Sequence, residues 1–149
     1  MMQSSNGFGA SASGRHPFRG LHAVVVDDNP ATVKLIEYMM REAGWQVSGF
    51  SKPHEALAAL PQLDPDLIVT DFRMPRMNGP EFLLEAERLH PGVPKMVMTA
   101  YGEDFVLQDM LRKASVPCAS KANGLMEVLS LAEQLVSVRL ACKRARVAV

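Results

Sequence analysis

Four short apolar runs, each giving way to a polar residue, alternate with stretches of helical period, and this alternation restricts the fold more than any other feature. Ala23-Val24-Val25-Val26 leads into Asp27-Asp28, Leu67-Ile68-Val69-Thr70 into Asp71, Met96-Val97-Met98 into Thr99, and Val116-Pro117-Cys118-Ala119 toward Lys121. Strands so uniformly apolar belong in a parallel sheet covered by helices on both faces. Parallel strands joined by helices point their carboxyl ends to one edge, where open α/β sheets bind ligands. Asp27, Asp28, Asp71, Thr99 and Lys121 are therefore expected together, although they are scattered in sequence.

The first strand is expected over Leu21 to Val26, followed by a helix capped by Asn29 with Pro30 in its first turn. Val33, Ile36, Met40 and Ala43 form the inner stripe of that helix, Leu35 and Met39 widen it, and Gly44 supplies a left-handed stop. Trp45 to Phe50 reads as the second strand, Ser51 to Leu60 as a short helix, and Asp66 to Thr70 as the third strand. Beyond a turn from Pro75 to Gly79, a helix spans Glu81 to His90 with Phe82, Leu83, Ala86 and Leu89 inward, and Pro94 to Met98 is the fourth strand. Gly102 to Ala114 gives a fourth helix, with Phe105, Val106, Met110 and Leu111 as contacts, and Val116 to Ala119 a fifth strand. The last helix starts near Gly124 and passes Leu140, burying Leu125, Val128, Leu129, Ala132, Leu135, Val136 and Leu140. The expected class is α/β: a doubly wound, five-stranded parallel sheet.

A chain of 149 residues suits one domain with a single sizeable core. Residues 1–20, rich in Ser and Gly, read as a flexible N-terminal tail, 21–141 as the domain, and 142–149 as a basic C-terminal tail. Sixteen basic residues balance sixteen acidic ones, so no overall charge draws the chain to nucleic acid or anionic lipid. Protein surfaces and small ions are the expected partners, with no membrane insertion. Cys118 and Cys142 lack the spacing of redox or zinc sites, and no signal peptide is seen, which makes the expected location cytoplasmic. His16, His22, His54 and His90 lack metal-ligand spacing and read as structural, while Met39, Met40, Met96, Met98, Met110 and Met126 read as core fillers. Arg139, Lys143, Arg144 and Arg146 complement the dipole at a helix C-terminus.

Three carboxylates, a hydroxyl and an ammonium are the inventory for holding a divalent cation beside a phosphoryl group. Magnesium keeps several waters and is typically held by one or two carboxylates plus phosphate oxygens. Asp28 and Asp71 fit as direct ligands and Asp27 through water, with a backbone carbonyl in the loop after Asp71 completing the set. Without a cation the three carboxylates repel one another, which raises the cost of ionising them all. Lys121 would neutralise one phosphoryl oxygen, and Thr99 would donate a hydrogen bond to another. Taken singly, Asp27-Asp28-Asn29 could cap a helix, Asp71 could form a turn, Thr99 could end a strand and Lys121 could be a solvated loop lysine. Coincidence of all five on one edge favours the site.

On these residues the chain resembles the receiver domains of two-component response regulators, and in size the chemotaxis-type single-domain members. The stretches that carry the resemblance are Val24-Val25-Val26-Asp27-Asp28-Asn29, residues 69–79 around Asp71, Met98-Thr99-Ala100-Tyr101-Gly102 and Ser120-Lys121. Asp71 stands 43 positions after Asp28, Thr99 28 after Asp71, and Lys121 22 after Thr99, all within the family's habit. The resemblance implies the flavodoxin-like strand order 2-1-3-4-5, and a phosphoryl group accepted on Asp71 from a histidine kinase or phosphotransfer protein. It further implies Mg2+ held by Asp27 and Asp28, Thr99 sensing the phosphoryl group, Lys121 pairing with it, and kinase docking at Ala31, Thr32, Leu35 and Tyr38.

Two positions depart from the family. Ala122 replaces the usual proline after the lysine, so a trans bond and a shifted loop are expected. Cys118 replaces the aromatic residue three positions before Lys121 whose ring reports phosphorylation, a task that Tyr101 could assume. Arg73 and Tyr101 occupy positions where the family tunes water access to the acyl phosphate. Only 28 residues follow Lys121 and the last helix takes most of them, so a stand-alone receiver is expected, signalling by contact with a downstream protein or by relaying the phosphate. A haloacid-dehalogenase-type phosphatase also uses a strand-end aspartate, but it needs an acid where this chain has Arg73, which argues against an enzyme. A receiver-like binding module that is never phosphorylated is the remaining alternative.

Overall fold

In the computed structural model, which describes residues 18–100, 109, 111–122 and 124–148, the apolar runs lie side by side in one sheet. Its strands are β1 (His22–Val26), β2 (Gln46–Phe50), β3 (Leu67–Asp71), β4 (Lys95–Thr99) and β5 (Cys118–Ser120). All pairings are parallel and the order is β2-β1-β3-β4-β5, as expected. Between them run α1 (Pro30–Glu42), α2 (Pro53–Ala59) with a 3-10 turn over Leu60–Gln62, α3 (Gly79–Leu89), helical residues 109 and 111–113 (α4), and α5 (Met126–Ala148).

Alternate side chains of each central strand enter opposite cores. Ala23, Val25, Leu67, Val69, Met96 and Met98 meet Ile36 and Met40 of α1 and Val128, Ala132 and Val136 of α5. On the other face, Val24, Val26, Ile68 and Val97 meet Ala56 of α2, Phe82, Leu83 and Ala86 of α3, and Leu111. Every residue of β3 is buried, which explains why Leu67-Ile68-Val69 is an unbroken apolar run.

Several boundaries and side chains differ from the sequence reading. Phe18, within the stretch read as a tail, stacks on Trp45 with ring centroids 5.6 Å apart. Trp45 itself precedes β2 instead of opening it. Helix α3 starts at Gly79, two residues early, since Asn78 and Glu81 form a reciprocal capping box that takes Gly79 and Pro80 into the first turn. Residues 142–148 continue α5, so they extend the helix rather than leave it as a tail. Leu35, Leu89 and Met126 were expected inward but are exposed, because each stands at the margin of its helical stripe where the neighbouring layer no longer covers it. Gly44 does stop α1 as expected, at φ 102°.

Histidines act structurally: the His22 ring pairs with Ser48 Oγ at 2.7 Å, and the His90 ring with the Leu60 carbonyl at 2.7 Å. Arg139 donates to the Gly92 carbonyl at 3.0 Å, tying α5 to the turn before β4. The contacts expected of Phe105, Val106 and Met110, like His16 and Tyr101, lie outside the described residues.

Candidate functional site

Asp27 directly follows β1 and Asp71 closes β3, the two adjacent strands at which the chain reverses its winding direction and where open α/β sheets form crevices. Carboxylate oxygens of Asp27, Asp28 and Asp71 all lie within 4.8 Å of one another. Asp27 is fully buried, Asp71 nearly so, and Asp28 is exposed at the rim. Backbone amides hold the two inner groups: Asn29 N donates to Asp27 Oδ1 at 2.9 Å and Phe72 N to Asp71 Oδ1 at 3.0 Å. Asn29 also caps α1 by accepting from Ala31 N, so the expected capping and the carboxylate cluster occur together rather than as alternatives.

Lys121 bridges the inner pair. Its Nζ stands 2.8 Å from Asp27 Oδ2 and 3.0 Å from Asp71 Oδ1, and its backbone N donates to the Thr99 carbonyl at 2.8 Å. The peptide bond to Ala122 is trans, as expected, and the lysine reaches the cluster from it. Thr99 ends β4 with its side chain buried, and its hydroxyl lies near enough to the Cys118 thiol to act on its ionisation. The structure thus brings Asp27, Asp28, Asp71 and Lys121 together, with Thr99 at the adjoining strand end, tied to Lys121 through its backbone carbonyl.

Electrostatics follow from this crowding. Burial first, and then the Asp27 charge, push Asp71 up to about 6, while the Lys121 ammonium works against both. Burial disfavours the charge on Lys121, but the hydrogen bond to Asp27 and the fields of Asp71 and Asp27 hold it above the usual lysine range. The Cys118 thiol is pushed up by burial, partly offset by the nearby Thr99 hydroxyl. Three oxygen donors and an unmet demand for positive charge fit a hard divalent cation such as Mg2+.

Of the groups that support the loop, Thr70 was not singled out in the sequence, whereas Gly79 was read there as part of the turn behind Asp71. The Thr70 hydroxyl donates to the Asp71 carbonyl at 2.9 Å, and Gly79 N to the Phe72 carbonyl at 2.8 Å, fixing the loop behind Asp71. A Cβ at Gly79 would stand 2.5 Å from the Asp71 carbonyl oxygen, so only glycine admits this approach. Arg73 follows in the exposed loop with its guanidinium 6.0 Å from the Phe72 ring centroid. On α1, Ala31, Leu35 and Tyr38 are exposed and Thr32 is half-buried, forming an outward strip that begins one turn from the cluster.

The family model of the response regulator receiver domain matches residues 23–133. The chain belongs to that family. Among curated relatives of this receiver, the DNA-binding transcriptional regulator NtrC of Salmonella typhimurium is 29% identical over 113 residues, 76% of this chain and 24% of the relative. The chain therefore spans about a quarter of the length of that regulator. Among solved structures, a response regulator receiver domain protein from Clostridium thermocellum matches with a TM-score of 0.72 at 18% identity, over 82% of this chain and 98% of that one. The receiver domain of a sensor histidine kinase from Pseudomonas aeruginosa, solved with a magnesium ion in its active-site cleft, matches with a TM-score of 0.68 at 22% identity, over 79% and 98%. Both likenesses establish the flavodoxin-like fold. No helix among the described residues is long and apolar enough to cross a membrane.

Proposed function

We propose that this receiver accepts a phosphoryl group on Asp71 from the phosphohistidine of a histidine kinase or phosphotransfer protein. The phosphorylated form then signals by contact with a downstream protein or by passing the phosphate onward. The observation that carries this reading is the position of Lys121 Nζ, within 3.0 Å of both Asp27 and Asp71 at a three-carboxylate cluster on the sheet edge. Transfer of a phosphoryl group depends chiefly on positioning and on neutralising charge spread over its oxygens.

An Asp71 carboxylate oxygen attacks phosphorus in line with the imidazole leaving group. The new O–P bond forms as the P–N bond breaks, and its electron pair returns to the imidazole. The Phe72 amide orients the Asp71 carboxylate for this approach. Lys121 turns from the two carboxylates to a phosphoryl oxygen, and the Thr99 hydroxyl donates to a second phosphoryl oxygen. Asp27, Asp28, Asp71 and the Arg73 carbonyl would hold Mg2+, which when bound supplies the charge that shields carboxylates from phosphate. With Cys118 in place of an aromatic ring, the rearrangement of Thr99 is read through a thiol, and Tyr101 takes the reporting role; Arg73 and Tyr101 restrict water at the acyl phosphate. The donor docks on Ala31, Thr32, Leu35 and Tyr38. A cytoplasmic location belongs to the same reading, and both cysteines are free thiols.

Incubation with a small acyl phosphate and Mg2+, followed by intact mass measurement, tests the proposal. The parent should gain one phosphoryl group and Asp71→Asn none. Gain by neither would replace this reading with that of a binding module acting without phosphorylation, and equal gain by both would place the acceptor on a residue other than Asp71.

A further inference from the structure

We infer that Glu127, acting through Ser120, is a positioning residue for Lys121, standing in for the backbone restraint that this chain lacks at Ala122. The inference rests on the reading of Lys121 as the group that pairs with a phosphoryl oxygen. Proline fixes its own φ and confines the residue before it to extended backbone. With Ala122 in that place, no covalent restraint of this kind acts on the lysine.

Lys121 has far to reach from a weak support. It follows β5, a three-residue strand at the sheet edge, and its Nζ crosses the end of β4 to meet Asp71 on β3 and Asp27 after β1. So short a strand supplies few ladder bonds, and the bond from Lys121 N to the Thr99 carbonyl closes the ladder. The turn that follows is strained. Gly124 and Leu125 both take left-handed backbone, at φ 68° and 69°, and Leu125 does so with its side chain buried. A β-carbon disfavours that conformation, so the turn persists only where other contacts fix it.

Two hydrogen bonds supply those contacts. Glu127, in the first turn of α5, reaches back seven residues and accepts from Ser120 N on its Oε2 at 2.9 Å. The Ala122 amide, a donor that proline would lack, goes to Ser120 Oγ at 3.0 Å. Ser120 is thus held at its amide by α5 and holds Ala122 by its hydroxyl, which fixes the backbone on both sides of Lys121. An acid in the first turn also complements the helix dipole. That effect alone would stabilise α5 without reaching the lysine.

Calorimetric Mg2+ binding to the full chain tests this without any phosphodonor. Lys121 and the cation compete for Asp27 and Asp71, so a chain whose lysine is loosened should bind Mg2+ more tightly. Glu127→Ala should tighten binding by about three- to tenfold, and Ser120→Ala should shift it in the same direction. Loss of a negative charge by itself would weaken Mg2+ binding, so the sign separates the two causes. Glu127→Gln, which keeps an acceptor oxygen and drops the charge, should stay within about twofold of the parent. In a Lys121→Ala background, Glu127→Ala should leave the affinity unchanged, because no lysine remains to be positioned. Affinity indifferent to Glu127→Ala, an equal shift with and without Lys121, or a Glu127→Gln chain that matches Glu127→Ala would each overturn the inference. A parent that shows these shifts but takes no phosphoryl group would instead refute the proposed function and leave the placement of Lys121 standing.

Discussion

Asp71 is held between opposing influences, with burial and Asp27 favouring its protonated form and Lys121 favouring the carboxylate. Its pKa of about 6 in the fold exceeds the ordinary 3.8, so between those values the native state holds more protons than the unfolded chain. Stability without metal should accordingly fall as pH rises through that window, and Asp71→Asn should remove this part of the slope in denaturant titrations. Mg2+ requires the ionised group, so its affinity should rise over the same range. Lys121→Ala deletes two charge-assisted bonds at a mostly buried cluster. A loss of about 2 kcal/mol is expected in metal-free buffer, with part of it restored by Mg2+; equal losses with and without Mg2+ would show that lysine and cation do not share the same carboxylates. The positions of Asp27, Asp28, Asp71, Thr99 and Lys121 were legible because each follows a recognisable apolar run. The nearness of Cys118 to Thr99 was not, since it depends on the register of β5, a strand of three residues too short to leave a pattern.

Helix α3 shows how an element positions chemistry it does not itself contain. Its first residue, Gly79, lies against the Asp71 backbone, and its capping box ties Asn78 to Glu81 at 2.9 Å in both directions. Gly79→Ala would force α3 away from the carbonyl of the acceptor residue. The expected cost is about 1 to 3 kcal/mol in unfolding, together with slower phosphoryl acceptance at unchanged Mg2+ affinity; parental stability and rate would refute this role. Asn78→Ala should cost about 1 kcal/mol through the cap alone. Sequence reading took Pro75 to Gly79 as a turn because Pro and Gly fix turn geometry, whereas here Gly79-Pro80 opens a helix. Helical periodicity found the centres of the buried stripes but not their widths, and so Leu35 and Leu89 were placed inside although the adjoining layer does not reach them.

At the scale of the whole molecule, the parallel sheet gathers Asp27, Asp28, Asp71 and Lys121 from distant stretches of sequence into one cluster, and the fold was legible because buried parallel strands need unbroken apolar runs. Domain limits were less so: Phe18 sits in a Gly- and Ser-rich stretch yet stacks on Trp45, and the basic end of the chain reads as a tail yet continues α5. Neither a single aromatic contact nor a helix projecting from its core produces a repeating pattern. The account as a whole stands on Asp71 as the acceptor. Borohydride reduces an aspartyl phosphate to homoserine, so treatment of the protein after exposure to a small acyl phosphate and Mg2+, followed by peptide mass mapping, locates the modified residue. The account predicts homoserine at position 71 alone, dependent on both reagents; homoserine at another aspartate, or a phosphate resistant to borohydride, would contradict it.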